Sequence, residues 1–184
     1  MKKFSTKDGR EIVIRTATED DASMFLDFSK HIFERFDSFN SSSIEEFKND
    51  LEVERQFIAS HQSDNRVLLV AIHNDKIVGA CDFTNRKPIK LRHWGNFGLS
   101  VREEFHRNGI AKALLTELFN WALENKTIEM IGLYVHADNH RAIKLYETIG
   151  FKQYGVIPSS LRYKNGNYID TIEMYIYLRD LKKG

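Results

Sequence analysis

The chain has 184 residues, 42% of them hydrophobic, and two prolines, enough to enclose a full core with no linker-like stretch. Lysine and arginine number 27 against 26 aspartates and glutamates, so no global positive field draws nucleic acid or an anionic membrane. The single cysteine, Cys81, has no internal partner, and the longest apolar run, "VLLVAI", falls far short of the roughly 20 residues that span a bilayer.

With an opening "MKKFSTKDGR" that carries no apolar run behind its lysines, these features lead us to expect a soluble, cytoplasmic protein in which 1–184 is one domain. Along the chain, "EIVIRTA" alternates like a strand, and "TEDDASMFLDFSKHIFERF" repeats apolar residues at helical spacing behind a Thr18 cap. A second helix is expected from Ser43 to about His61, with Ser43 and Glu46 spaced as a capping box. "RVLLVAI" and "KIVGACDFT" flank "HNDK" as a hairpin, and "HWGNFGLSV" continues the sheet after the basic, solvated loop "RKPIKLRH".

The helix after Gly109 carries Ile110, Leu114, Leu115, Leu118, Phe119 and Ala122 on one side, so it lies flat on a sheet. "IEMIGLYVHA" is a strand joined through that helix to the earlier one, which favours parallel pairing. "DNHRAIKLYETIGF" reads as a short helix stopped by Gly150, and the tail as two strands around "KNGN". The order β–α–α–β–β–β–α–β–α–β–β predicts a mixed α/β (α+β) fold: about seven strands in a mostly antiparallel twisted sheet, flanked by about four helices.

Chemistry concentrates at two helix starts. In "HRNGIA" the side-chain-free Gly109 lets a backbone or an anion approach the unpaired amides of a helix N-terminus, with Arg107 and Lys112 beside it. A plain strand-to-helix turn needs the same glycine. No G-x-x-x-x-G-K-[ST] and no G-x-G-x-x-G behind a strand occur, so nucleotide hydrolysis and dinucleotide binding lack their signatures. Asn139 and Tyr146, about two turns apart, share one side of the second helix, where Tyr146 is either a core aromatic or a phenol aimed at the ligand of the first.

Together, "VREEFHRNGIAKALL" and "VHADNHRAIKLYETIGF" resemble the acetyl-CoA-binding core of the GNAT-type N-acetyltransferase superfamily: Q/R-x-x-G-x-G/A, then N-x-x-A-x-x-x-Y-x-x-x-G-F. The element order matches from Glu11 to Leu178, and His106 departs from the pattern at the position of glutamine or arginine. The resemblance implies that Leu99 and Val101 pair with the pantetheine arm, and that Arg107, Asn108, Gly109, Ile110, Ala111 and Lys112 hold the pyrophosphate. Asn139 would contact the arm, and Tyr146 would protonate the departing thiolate. It further implies an amine acceptor, most simply a small molecule such as an amino acid, in a pocket with Phe33, Phe36 and Tyr163 among its walls. A protein N-terminal acetyltransferase and a non-catalytic acyl-CoA sensor are the alternatives.

"HWGNFGLSV" has no carboxylate where some relatives place a base, so His93 is the candidate, its imidazole titrating near neutral pH. His136 and His140 straddle a junction without a third ligand, so no metal is expected. Cys81 reads as a core thiol. Members of the family often pair through their late strands, and a homodimer is compatible with "IDTIEMYIYL".

Overall fold

Asn74 and Asp75 both take left-handed φ angles, 47° and 56°, the conformation that lets a two-residue turn follow the twist of its strands. Strand β3 (Arg66–His73) thereby runs directly into β4 (Lys76–Asn85). These belong to a computed structural model that describes residues 1–35 and 44–181. The remaining strands are β1 (Lys2–Ser5), β2 (Glu11–Thr16), β5 (Trp94–Val101), β6 (Met130–His136), β7 (Lys152–Arg162) and β8 (Tyr168–Tyr177). Helices α1 (Ala22–Arg35), α2 (Leu51–Ser60), α3 (Ile110–Glu124), α4 (His140–Ile149) and α5 (Leu178–Leu181) complete the described chain.

All eight strands form one sheet in the order β1-β2-β3-β4-β5-β6-β8-β7. Only β5 and β6 run parallel, as a crossover through α3 requires. The expected mixed sheet is present, with β1 and α5 added to the seven strands and four helices expected. "KKFS" is too short and polar to announce itself, and it forms by pairing Lys2–Ser5 with Glu11–Ile14.

The second helix also differs from expectation. Ile44–Glu46 is a single 3-10 turn, and α2 starts only at Leu51, where the Asp50 side chain accepts a bond from Glu52 N at 2.8 Å. A cap that satisfies an otherwise unpaired amide wins over the apolar spacing that suggested an earlier start. The capping-box residue Ser43 lies outside the described residues.

Side chains alternate across the sheet. One face, here the back, carries Cys81, Phe83, Phe97, Ile131 and Met174 against α3 and α4. Ile110, Leu114, Leu115, Leu118, Phe119 and Ala122 are buried on α3 as expected, each larger side chain contributing about 1.5–3 kcal/mol relative to exposure. The front face of β3 and β4 carries Leu68, Val70, Ile77 and Ala80 against Phe25, Phe28 and Ile32 of α1 and Ile58 of α2. Among the described residues, no helix is long and apolar enough to cross a membrane.

Candidate active site

The parallel pairing is short. Trp94, Gly95 and Asn96 face Met130, Ile131 and Gly132, and there it ends, although β5 continues to Val101 and β6 to His136. Each strand stays with its other neighbour: β5 pairs with β4 as far as Val101, and β6 with β8 as far as His136. The sheet therefore splits into a wedge between Phe97–Val101 and Leu133–His136. Backbone donors and acceptors along such a split are available to an extended ligand in the way an edge strand is. Leu99 and Val101 lie on it, half-buried.

Helix α3 starts at the open end of the wedge. Gly109 is its N-cap with φ 84° and ψ −3°, and no side chain caps the helix. The first intrahelical bond runs from Ala113 N to Gly109 O at 2.9 Å, so among the described residues the amides of Ile110, Ala111 and Lys112 have no helical acceptor. A β-carbon on Gly109 would meet nothing within 4 Å. Arg107 is also left-handed, φ 64°, a conformation that costs a non-glycine residue about 1–2 kcal/mol. The Arg107–Ile110 turn, with its exposed Arg107 and Lys112, is an open, donor-rich concavity suited to an anion.

His106, the departure from the family pattern, braces this turn. Its Nε2 lies 2.8 Å from Val101 O, and its Nδ1 2.8 Å from Arg141 Nη1 on α4. A carbonyl only accepts and a guanidinium only donates, so the neutral ring carries its proton on Nε2. Burial lowers its pKa, with the Val101 carbonyl opposing. The first hairpin supports the turn from outside: Asn108 Nδ2 donates to Asp8 at 3.1 Å, and Arg10 donates to Glu104 O at 3.0 Å while lying over the Phe105 ring at 4.1 Å. Sequence reading missed this support, since it joins residues about a hundred positions apart.

On α4, Asn139 caps the helix by accepting from Ala142 N at 3.2 Å, which leaves its amide NH₂ for a ligand. Tyr146 is part of the core. Its ring packs edge-on against Phe97 and Phe151, both at 5.7 Å, and it is 8% exposed. Its hydroxyl makes no hydrogen bond among the described residues. The hydroxyl oxygen is not among the buried atoms that lack a partner, so it keeps solvent access beside Phe97 and is open to a ligand. Burial pushes its pKa further up.

The remaining sequence candidates divide. Phe33 packs at a tilt against Phe47, ring centroids 5.1 Å apart, Tyr163 donates to Asp138 at 3.0 Å, and Lys164 pairs with Glu45 at 3.1 Å, tying the β7–β8 hairpin to the turn before α2. Phe36 lies outside the described residues. His93 is not brought to the split: its carbonyl accepts from Glu129 and Met130 at the paired end of β5 and β6, six residues from Leu99, on the order of 20 Å along a strand. Cys81 is fully buried and its thiol pKa is raised by that burial. Among the described residues no group of His, Cys, Asp and Glu could hold a metal.

The family model of the acetyltransferase (GNAT) family matches residues 30–151. Acetyltransferase PseH of Campylobacter jejuni is 29% identical over 106 residues, which is 57% of this chain and 64% of that protein. The L-amino acid N-acetyltransferase AaaT of Escherichia coli is 29% identical over 106 residues, 58% of this chain and 65% of its own length. The chain thus matches a little under two thirds of each of these relatives. The crystal structure of an acetyltransferase of GNAT family from Streptococcus pneumoniae superimposes with a TM-score of 0.86 at 26% identity, covering 90% of this chain and 99% of that one. A split sheet, a helix with open amides at the split and a family model that spans both lead to one conclusion: the chain belongs to the GNAT family of acetyltransferases.

Proposed function

We propose that this chain, as one domain, moves an acetyl group from acetyl-CoA to a primary amine, most simply a small molecule such as an amino acid. The observation that carries the reading is the juxtaposition at the wedge: uncapped amides of Ile110–Lys112 at its open end and the unpaired Tyr146 hydroxyl beside Phe97. Acetyl-CoA supplies the activated acetyl group. The turn Arg107–Gly109 and the α3 amides take its diphosphate, Leu99 and Val101 pair with its arm, and the Asn139 amide donates to the same arm. The name of AaaT, an L-amino acid N-acetyltransferase, supports a small amine, with Phe33 and Tyr163 among the walls of the acceptor site.

Tyr146 manages a proton. A phenol held above its ordinary value near 10 is a reluctant donor to a thiolate, so it releases its proton to sulfur as it takes one from the newly acylated nitrogen. Thiol release from acetyl-CoA over a panel of amino acids, polyamines, aminoglycosides and short peptides tests the reading. Saturable turnover on small amines is expected. Activity that climbs with peptide length would redirect the assignment to protein N-termini, and cofactor binding without turnover on any amine would leave an acyl-CoA sensor.

A further inference from the structure

β5 carries no carboxylate, but its neighbour supplies one. Asp82 of β4 sits opposite Gly98, two residues past the last β5–β6 pair, where the wedge opens. A β-carbon on Gly98 would lie 2.6 Å from Asp82 Oδ1, so the carboxylate occupies the space that a side chain at 98 would take. Gly98 is exposed, and the Asp82 side chain is 35% exposed: the group is recessed in the front face yet open to a ligand.

Behind it stands His61 at the end of α2, 5% exposed, its Nε2 4.0 Å from Asp82 Oδ2 and 3.2 Å from Thr84 Oγ1. His61 Nδ1 lies 2.8 Å from Phe57 O. Because that carbonyl can only accept, Nδ1 carries a proton, and Nε2 is the ring nitrogen that faces Asp82 and Thr84.

The placement relative to Tyr146 decides the role. Phe97 and Gly98 are successive residues pointing to opposite faces, and Tyr146 packs on Phe97 from the back. Asp82 reaches Gly98 from the front. A thioester lying in the split would therefore have the phenol on one side and the carboxylate on the other.

We propose that Asp82 is the catalytic residue that receives the acceptor's ammonium and takes one proton from it, with His61 as the positioning group behind it. The assignment rests on the acetyltransferase reading. The balance is R–NH₃⁺ plus Asp82–COO⁻ giving R–NH₂ plus Asp82–COOH; the amine nitrogen then forms the C–N bond as the C–S bond breaks. The second nitrogen proton reaches sulfur through Tyr146, and the proton on Asp82 leaves to the solvent its side chain meets, so one proton is released per amide formed. Burial raises the Asp82 carboxyl, with His61 and the Asp82 and Gly98 backbone pulling the other way, which makes it a better base than an ordinary carboxylate. His61 from α2 is the titratable group facing it, while β5 presents Asn96, Gly98 and Ser100.

The test compares the full chain with Asp82→Asn, an isosteric change, by acetyl-CoA calorimetry and by pH profiles of amine turnover. Acetyl-CoA affinity stays within about twofold while kcat/KM for the amine falls roughly 100-fold or more at neutral pH, the usual worth of a positioned base. The deficit narrows as pH rises towards the amine's own pKa, because the substrate then arrives deprotonated. A second variant, His61→Gln, lowers kcat with a smaller change in KM. Equal kcat/KM in Asp82→Asn and parent, or a deficit that pH does not narrow, overturns the assignment alone. Absence of acetyl-CoA uptake by the parent would instead remove the acetyltransferase reading and this assignment with it.

Discussion

Gly109→Ala separates the two things that Gly109 does. At φ 84° a side chain costs about 1–2 kcal/mol in backbone conformation, which for a chain of this size lowers Tm by roughly 2–8 °C. Nothing lies within 4 Å of the added carbon, so no packing clash adds to this, and the carbon projects into the space proposed for the diphosphate. Losing even one charge-assisted amide bond to the ligand costs about 1.5–3 kcal/mol, roughly a 10-fold to 100-fold rise in Kd. Gly166 provides the control: at the β7–β8 turn it has φ 89° and equally open space. Gly166→Ala should lose the same Tm and keep acetyl-CoA affinity within about twofold, as distant sites act independently. Thermal melts and calorimetry on the two variants give the comparison. If Gly109→Ala loses no more affinity than Gly166→Ala, the anion does not sit at the start of α3.

Tyr146→Phe removes a hydroxyl without hydrogen-bond partners, so melting temperature and acetyl-CoA affinity should hold while turnover falls about 100-fold or more; unchanged steady-state kcat would take Tyr146 out of the chemistry. Asp21, its side chain 3% exposed, accepts from Arg15 Nη1 and Nη2 at 2.6 and 2.7 Å and from the Thr18 amide at 2.8 Å. Burial raises its carboxyl, but these donors outweigh it and the net shift is downward. A depressed folded value means stability that is present above the unfolded carboxylate value near 3.9 and is lost as pH falls below it. Asp21→Asn should cost about 3 kcal/mol at neutral pH and flatten the acid limb of a denaturant-monitored stability profile; an acid limb identical to the parent's would show that the pair contributes nothing.

Much of the fold is legible in local pattern. The alternation of "EIVIRTA", the apolar face of α3 and the Asn139 and Gly150 boundaries of α4 are each set within a few residues, and each element forms there. β1 escapes because its reason for being a strand is its partner. Of the proposed site, spacing sets Gly109, Asn139 and Tyr146 at or near two helix starts, and only the resemblance to the family gives them their expected roles. Asp82 does not: within "IVGACDFT" it is one polar residue in a strand, and only the register Asp82↔Gly98 brings it to the split. His93 misleads for the same reason, since nearness in sequence to β5 says nothing about which end of that strand opens. His106 looks like a loss when set against a motif and is a brace in three dimensions, because Val101 and Arg141 come to it from elements that spacing does not relate.

The most direct measurement is a titration of ¹⁵N-labelled protein with acetyl-CoA, followed by amide resonances. Saturable downfield shifts at Gly109, Ile110, Ala111 and Lys112, accompanied by changes at Leu99 and Val101, are the predicted result. Saturable binding that leaves those amides unmoved, or no binding at millimolar ligand, would contradict the account at its root.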